Sequence, residues 1–363
     1  MLLRAPLLIT LAACISLGAA TGAARAGTPQ QTILAGIAKA VGQGQISATD
    51  AGFDRAVTAR AAKLAASLPR SRSAPLAANL NQVAARADSF SAPVALALFH
   101  QLAFNSTYLA NHAAPTVRTD VTDTDGIVYR WFAGSGFEFH PLANFGALNA
   151  DVAIGNVVAA RQLADALIAR AVPDVGGGVA WQYFFSFEGG RAPWTSGMAQ
   201  AVAAQAFAAA SVLLPDDAQL LPTAKAAFRT IPGRLVQTLS AGPWIKLYSF
   251  NNNVVLNAQL QTVISLQAYA GVAGDTTAAS LASTMATAAV TKLPSFDTGF
   301  WSYYQLPSIV SPVDYQDYVV TLLKRLALKD KRFADAATRF ASYDKQPPQF
   351  RRSEEHTSEL QSH

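Results

Sequence analysis

The sequence has almost no cysteine and little charge. Cys14 is the only cysteine among 363 residues, and Asp, Glu, Lys and Arg together make up 14% of the chain. A lone cysteine excludes an intrachain disulfide and a metal site built on several thiolates. The formal net charge is +5, which favours anionic partners, but the chain has no run of Lys and Arg of the kind that binds nucleic acid. We therefore expect no nucleic-acid partner.

The first 26 residues are typical of a secretory signal peptide. Arg4 precedes an apolar run that ends near Leu17, and Ala24-Arg25-Ala26 is a small-x-small cleavage pattern. The apolar run is shorter than the ~20 residues that a membrane span requires. We expect a protein that is exported to the periplasm or the extracellular space and is not transmembrane. Cys14, in "LAAC", also fits a lipoprotein processing site, so lipid anchoring is the alternative.

The other end of the chain also differs from the rest. Residues 352–363 show no apolar periodicity and read as a translated sequencing adapter. The remaining sequence, about 325 residues, is long enough for one large domain or two small ones. We divide it into an N-terminal helical segment over 27–115 and a second unit over 116–351.

Most apolar residues recur at helical spacing, which predicts a mainly α protein. "LPRSRSAP", which begins at Leu68, reads as a loop, and Asp125-Gly126 followed by "IVYRWF" predicts one short β-hairpin near 120–133. The acidic residues of "DVTDTDG" lack the spacing of a Ca²⁺ loop, so we interpret them as a turn and expect no metal site. Helices are predicted within 30–68, 77–110, 142–172, 194–213, 217–230, 254–273, 276–292, 314–328 and 331–343.

Three long aromatic connections separate pairs of these helices. They are "VAWQYFFSFEGGRAPW", "AGPWIKLYSFNNN" and "FDTGFWSYYQLPSIVSP", and they recur roughly every 60 residues, a period that suggests repeated helical hairpins. This pattern predicts an (α/α) toroid with its long loops at one end. Aromatic faces stack on sugar C–H surfaces and side-chain amides bond hydroxyls, so the loops favour a glycan cleft. Alternatively, the aromatic residues only cap a helical core.

Several segments resemble one enzyme family. "FEFHPLANFGALN", "WTSGMAQAVAAQAFAAA", "LYSFNNNVVLNAQLQ", "DTGFWSYYQLP" and "VDYQDY" occur in the same order as related motifs in the C-terminal helical domain of D-glucuronyl C5-epimerases. The resemblance covers about 137–343. It implies an (α/α) toroid that epimerises D-glucuronate residues at C5 in an anionic polysaccharide, without a cofactor.

The resemblance also implies site residues. Tyr248 falls on the tyrosine of the family's "EEY", Tyr304 on that of "YDL" and Tyr315 on that of "DYH", so these three are the catalytic candidates. The chain departs from the family beside each of them. Leu247 replaces the glutamate before the first tyrosine, Pro307 an arginine after "YDL", and Gln316 the histidine after "DY".

C5 epimerisation removes a weakly acidic proton next to a carboxylate and returns one to the opposite face. The site must neutralise that carboxylate and provide an acid and a base. Lys246 shares a face with Tyr248 if the segment is extended, and Arg191 lies on a neighbouring loop, so both are candidates for binding the carboxylate. The other predicted substrate-binding residues are Trp244 as a wall and Asn252, Asn257 and Gln200 as hydroxyl partners.

Two other functions fit the same residues. A polysaccharide lyase begins with the same proton abstraction and then expels the C4 substituent. A non-catalytic glycan-binding protein keeps the toroid without the chemistry, and Leu247 and Pro307 favour that alternative. The sequence does not indicate an oligomeric state.

Overall fold

The computed structural model describes residues 27–343 and Lys345. The predicted signal peptide, Cys14 and the adapter-like segment lie outside the described residues. Within them the chain is mainly helical, as predicted.

The described chain contains twelve α-helices. They are α1 (Pro29–Gly42), α2 (Ala48–Ser67), α3 (Arg70–Ala85), α4 (Ala92–Asn111), α5 (Pro141–Ala153), α6 (Val157–Ile168), α7 (Gly197–Leu213), α8 (Leu220–Arg234), α9 (Leu256–Ala273), α10 (Thr276–Phe296), α11 (Val313–Ala327) and α12 (Ala334–Tyr343). Ten short strands connect them: β1 (Asp120–Thr122), β2 (Val128–Phe132), β3 (Gly136–Phe139), β4 (Val172–Asp174), β5 (Gly178–Ala180), β6 (Val236–Leu239), β7 (Gly242–Ile245), β8 (Val254–Val255), β9 (Tyr303–Leu306) and β10 (Ile309–Val310).

The first four helices pack on one another as a bundle. Thr28 caps α1 with a reciprocal capping box to Gln31. The segment "LPRSRSAP" is mostly helix rather than the predicted loop, because α3 begins at Arg70 and continues through Pro75. A proline loses only one helical hydrogen bond near a helix start, and Pro75 is buried in the bundle, which offsets that loss.

The remaining eight helices form four hairpins arranged as an (α/α) toroid, which confirms the predicted fold class. The inner helices are α5, α7, α9 and α11: α7 contacts α5 and α9, and α9 contacts α11. The outer helices α6, α8, α10 and α12 each pack against the inner helix that precedes them. Nearly half of the residues of α7 are alanine, so its neighbours approach closely on several sides.

Successive inner helices run in the same direction because an antiparallel outer helix separates them. Their N-termini, and the segments that precede them, therefore lie at one end of the toroid. We call this end the rim and define it as residues 118–140, 181–196, 244–255 and 301–315. It contains most of each of the three predicted aromatic connections.

The predicted β-hairpin is present, and a third strand extends it into the sheet β1-β2-β3. The free edge of β3 pairs with side-chain amides of α4. Asn105 Oδ1 accepts from the Phe137 backbone N–H at 2.9 Å, and Gln101 Oε1 accepts from that of Phe139 at 2.8 Å. These bonds fix the sheet between the bundle and the toroid. The domain boundary expected near residue 115 stays a prediction.

In the part of the chain that the structure describes, no helix combines the length and the apolar character that crossing a bilayer demands.

Candidate functional site

Tyr304 and Tyr315 lie together at the rim. Tyr304 is in β9 and is half-buried, and Tyr315 is in the first turn of α11 and is buried. Their rings meet edge-on, with centroids 5.0 Å apart and planes at 64°. The strand and the following helix thus bring two of the three catalytic candidates into direct contact.

Tyr248 lies on a segment that is attached to the N-terminus of α7. The Ser249 N–H donates to Thr195 O at 2.9 Å, the Thr195 N–H donates to Ser249 Oγ at 3.1 Å, and the Gly197 N–H donates to Lys246 O at 3.1 Å. A side chain at Gly197 would collide with that carbonyl, so only glycine permits this approach. The attachment fixes Tyr248 beside the rim segment before α7.

The ring of Tyr248 is buried among aromatic side chains. It stacks on Phe250 with centroids 5.4 Å apart, and it meets Phe187 and Trp194 edge-on at 5.6 and 5.5 Å. Phe187 and Trp194 belong to the rim segment before α7, whereas Tyr248 and Phe250 belong to the segment before α9. The aromatic residues of these two connections therefore form one cluster.

Strand pairing joins the segment of Tyr248 to that of Tyr304. Strand β8 pairs with β9 in an antiparallel register that places Val254 opposite Leu306 and Val255 opposite Gln305. Below this ladder, Tyr318 Oη donates to Gln261 Oε1 at 2.9 Å between α11 and α9. Burial raises the pKa of Tyr318 above its ordinary value, which makes its phenol a poor proton donor and a structural group here.

The sheet β1-β2-β3 completes the rim on the side of α5. Phe132 packs on Phe185 with ring centroids 4.5 Å apart, and His140 meets Tyr183 edge-on at 5.5 Å. His140 also caps α5, since its Nδ1 accepts from the Ala143 N–H at 3.0 Å. The four rim segments are therefore connected in sequence from the sheet to Tyr315.

The two predicted carboxylate binders differ in exposure. Lys246 is half-buried, and its backbone bonds α7 and Leu235, whose carbonyl accepts from the Lys246 N–H at 2.8 Å. Arg191 is exposed at the end of the turn before α7. Their roles in binding stay predictions.

The other four predicted binding residues fall into two groups. Trp244 is fully buried and stacks on Phe296 with ring centroids 5.9 Å apart. The Gln200 side chain is also buried, and its amide donates to Val179 O and Ala227 O. Both side chains therefore make their contacts within the protein. Asn252 is exposed. Asn257 is fully buried in the first turn of α9, and neither of its amide atoms has a hydrogen-bond partner among the described residues.

Two of the three departures from the family motifs, Leu247 and Gln316, have structural roles. Leu247 is buried in the core. Gln316 is fully buried and joins three segments: Ser302 Oγ donates to its Oε1, and its Nε2 donates to Phe340 O at 3.0 Å. Gln316 therefore fixes the start of α11 against α12, next to Tyr315.

Sequence reasoning did not assign three charged residues of the rim. Glu188 and Gly189 form the tip of a tight turn, with φ of 43° and 80°, between Phe187 and Gly190, whose backbones exchange two hydrogen bonds. Glu188 is the only non-glycine residue with positive φ among those described. The other two are Arg118 and Arg130 of the sheet. The Asp-Gly signal located the hairpin but not the face on which its arginines lie.

Two surface hollows lie away from the rim. One, of about 520 Å³, is lined by Gln267, Lys329 and Arg332 among others, and the second lies between α8 and the first half of α10. Neither contains a catalytic candidate. All three catalytic candidates lie at the rim instead. Across 27–343, no cluster of three His, Cys, Asp or Glu residues is placed to hold a metal ion.

No curated protein sequence matches the chain. Among solved structures, a family 76 glycoside hydrolase from a bovine Bacteroides thetaiotaomicron strain is 13% identical with a TM-score of 0.42, and the match covers 59% of this chain and 49% of that one. A family 76 mannosidase from Bacteroides thetaiotaomicron VPI-5482 is 11% identical with a TM-score of 0.43, covering 62% of this chain and 67% of that one. A D-mannose isomerase is 12% identical with a TM-score of 0.41, covering 56% and 59%.

The chain thus spans about half the length of the first of these hydrolases. A family model gives a more specific result. The model described as D-glucuronyl C5-epimerase C-terminus matches residues 177–342, which include α7 to α11 and all three catalytic candidates. This match supports the resemblance to the D-glucuronyl C5-epimerase family for this part of the chain.

Proposed function

We propose that the protein epimerises D-glucuronate residues of an anionic polysaccharide at C5. The observation that carries this proposal is that the three tyrosines lie on rim segments which are connected to one another. Tyr304 contacts Tyr315, and the β8-β9 ladder joins their segment to that of Tyr248. The match of residues 177–342 to the epimerase family model supports the same reaction. The signal-peptide pattern leads us to place it in the periplasm or outside the cell.

The reaction requires two proton transfers on opposite faces of one sugar. A phenolate removes the C5 proton, the electron pair passes into the carboxylate to give an enediolate, and a phenol on the other face returns a proton to C5. A free tyrosine has a pKa of ~10, so a nearby cation must favour the phenolate. Tyr248 on one segment and the Tyr304–Tyr315 pair on another are the candidates for the two faces.

A non-catalytic glycan-binding role is the second candidate. It is favoured by Leu247 and Pro307, which stand where the family has a glutamate and an arginine. A lyase differs from both, because its enediolate expels the C4 oxygen and leaves a double bond between C4 and C5.

One experiment separates these functions. The protein is incubated in D₂O with a polysaccharide that contains D-glucuronate. Proton NMR then follows deuterium at C5, while absorbance follows unsaturated uronate. An epimerase incorporates deuterium and gives no absorbance, and the Tyr248→Phe variant loses the exchange. Rising absorbance identifies a lyase. Binding without exchange in the wild type contradicts the proposal and leaves the glycan-binding role.

A further inference from the structure

A tight turn directly before the rim segment 301–315 presents Phe300 to solvent. Phe300 is 65% exposed, whereas the next residue, Trp301, is 1% exposed. Thr298 closes the turn with its backbone N–H and its hydroxyl, which donate to Trp301 O at 3.0 and 2.8 Å, and Thr298 Oγ1 accepts from the Trp301 N–H at 2.9 Å. The Trp301 indole N–H donates to Ser311 O at 2.8 Å. Both ends of the turn that carries Phe300 are therefore fixed.

The base of this turn is attached to α12. Asp297 pairs with Ser302 as an antiparallel bridge. The Asp297 carboxylate accepts from the Gly299 N–H at 2.8 Å, from Tyr343 Oη at 2.7 Å and from Arg339 Nη1 at 3.0 Å. Gly299 has a φ of 86°, a conformation that favours glycine. The turn is thus held in one conformation, so its exposed ring can bind a ligand with little further loss of freedom.

Phe300 is also near a catalytic candidate. Tyr304 follows it by four positions, so their Cα atoms are at most about 14 Å apart whatever the path of the chain. A polymer that places one sugar at Tyr304 continues over the neighbouring surface. Its next few sugars are therefore within reach of Phe300.

The adjoining strand gives a second link to the candidate site. The Ser311 N–H donates to Ser302 O at 2.9 Å. Phe300 precedes Ser302 by two positions and Val313 follows Ser311 by two, so both lie beyond this bonded pair at the same end of the antiparallel ladder. Val313 is 45% exposed and begins α11. The exposed ring thus lies at the end of the ladder where α11 starts, and Tyr315 is in the first turn of that helix.

The chemistry of Phe300 suits a sugar ring. The proposed reaction acts on one residue inside a polysaccharide, so sugars on either side of the reacting uronate also lie along the rim. A phenylalanine face is flat and apolar and matches the C–H surface of a sugar. Stacking removes that face from water, which contributes affinity without any contact to the reacting atoms.

We propose that Phe300 is a stacking platform for a sugar of the polysaccharide that lies within a few residues of the uronate whose C5 reacts. This assignment rests on the proposed function and extends it from one sugar to a site several sugars long. Phe300 then contributes to the binding of long chains and not to proton transfer.

The test compares two ligands that differ only in length. They are a disaccharide and an octasaccharide in which D-glucuronate alternates with N-acetyl-D-glucosamine. Proton NMR titration gives the Kd of each for the wild type, Phe300→Ala, Phe300→Tyr and Val158→Ala. The last variant is the control for loss of an exposed apolar side chain, since Val158 is 77% exposed on the outer helix α6. Circular-dichroism melts check that all variants fold.

Phe300→Ala is expected to weaken octasaccharide binding about three- to tenfold and to leave disaccharide binding unchanged. Phe300→Tyr keeps the ring and should bind both ligands as the wild type does, as should Val158→Ala. The rate of C5 deuterium exchange at saturating octasaccharide should be the same in Phe300→Ala and the wild type.

Two results would overturn the assignment and leave the proposed function intact. One is an equal effect of Phe300→Ala on both ligands, including no effect on either. The other is wild-type self-association in sedimentation that Phe300→Ala abolishes while octasaccharide affinity stays unchanged, because a second copy of the chain would then cover Phe300. A wild type that binds neither ligand and exchanges no C5 proton overturns the proposed function together with the platform.

Discussion

Tyr304 meets Tyr315 edge-on with ring centroids 5.0 Å apart, although one belongs to a strand and the other to the next helix. Eleven positions separate them in the sequence, and the β9-β10 hairpin folds the chain back to bring them together. The β8-β9 ladder connects the segment of this pair to the segment of Tyr248.

Removing one hydroxyl from the pair should affect chemistry more than stability. Tyr304→Phe and Tyr315→Phe keep the edge-on ring contact, so the melting temperature should change little. If either phenol transfers a proton, deuterium incorporation at C5 should fall by about 10²–10⁴-fold. Tyr303→Phe is the matched control, because Tyr303 is adjacent and equally half-buried. Exchange that falls only in the Tyr303 variant would reassign the inward tyrosine of β9.

The backbone at Glu188 should be strained. Its φ of 43° suits glycine or asparagine, whereas a side chain such as Glu loses about 1 kcal/mol there. Urea denaturation should show that Glu188→Asn is more stable than Glu188→Ala by roughly 0.5–1 kcal/mol, because both lack the carboxylate but only Asn tolerates this conformation. Equal stabilities would show that the turn carries no such strain. If the Asn variant also loses exchange activity, the carboxylate serves the site at the expense of stability.

Asp54 should make the folded state less stable as the pH rises. It is buried in α2, and burial, followed by the charge of Asp50, raises its pKa to about 7. A raised carboxyl pKa means that the folded state holds a proton which the unfolded chain releases near pH 4. The stabilisation is complete below that pH and is lost between about pH 4 and pH 7, by roughly 4 kcal/mol in total.

The check is urea denaturation at pH 4.5 and pH 7.5 for the wild type and Asp54→Asn. The neutral amide removes the ionisation, so the free energy of unfolding should depend less on pH in the variant. Asp165→Asn, at an exposed position of α6, should keep the wild-type dependence. Parallel pH profiles in all three proteins would show that Asp54 does not titrate in this range.

Local sequence signals were sufficient for most of the helices. The apolar spacing predicted α1, α2, the pair α3 and α4, and the eight helices of the toroid, because each buries one side against a neighbour. It placed the start of α3 too late, because Pro69 and Pro75 resembled a loop. The sequence predicted a hairpin but not strand β3, because that strand is only four residues long and its outer edge pairs with Gln101 and Asn105 of α4. Because these partners are more than 30 positions away from β3, the sequence around the strand shows no pattern that predicts it.

The site was predicted less completely than the fold. The aromatic connections and their common end follow from the hairpin repeat. The packing of the β1-β2-β3 sheet on the rim does not, since Phe132 and Phe185, whose rings meet at 4.5 Å, are more than 50 positions apart in the sequence. Trp244 and Gln200 were predicted to bind the substrate but lie in the core. Their residue types suited sugar contacts, yet packing against Phe296 and bonds to backbone carbonyls occupy them in the core.

A crystal structure of the protein with an oligosaccharide that contains D-glucuronate tests the central claim most directly. We expect one uronate at the rim, with its C5 between the Tyr248 phenol and the Tyr304–Tyr315 pair. A sugar bound in the hollow near Lys329, or at the rim with its C5 out of reach of all three phenols, would contradict it.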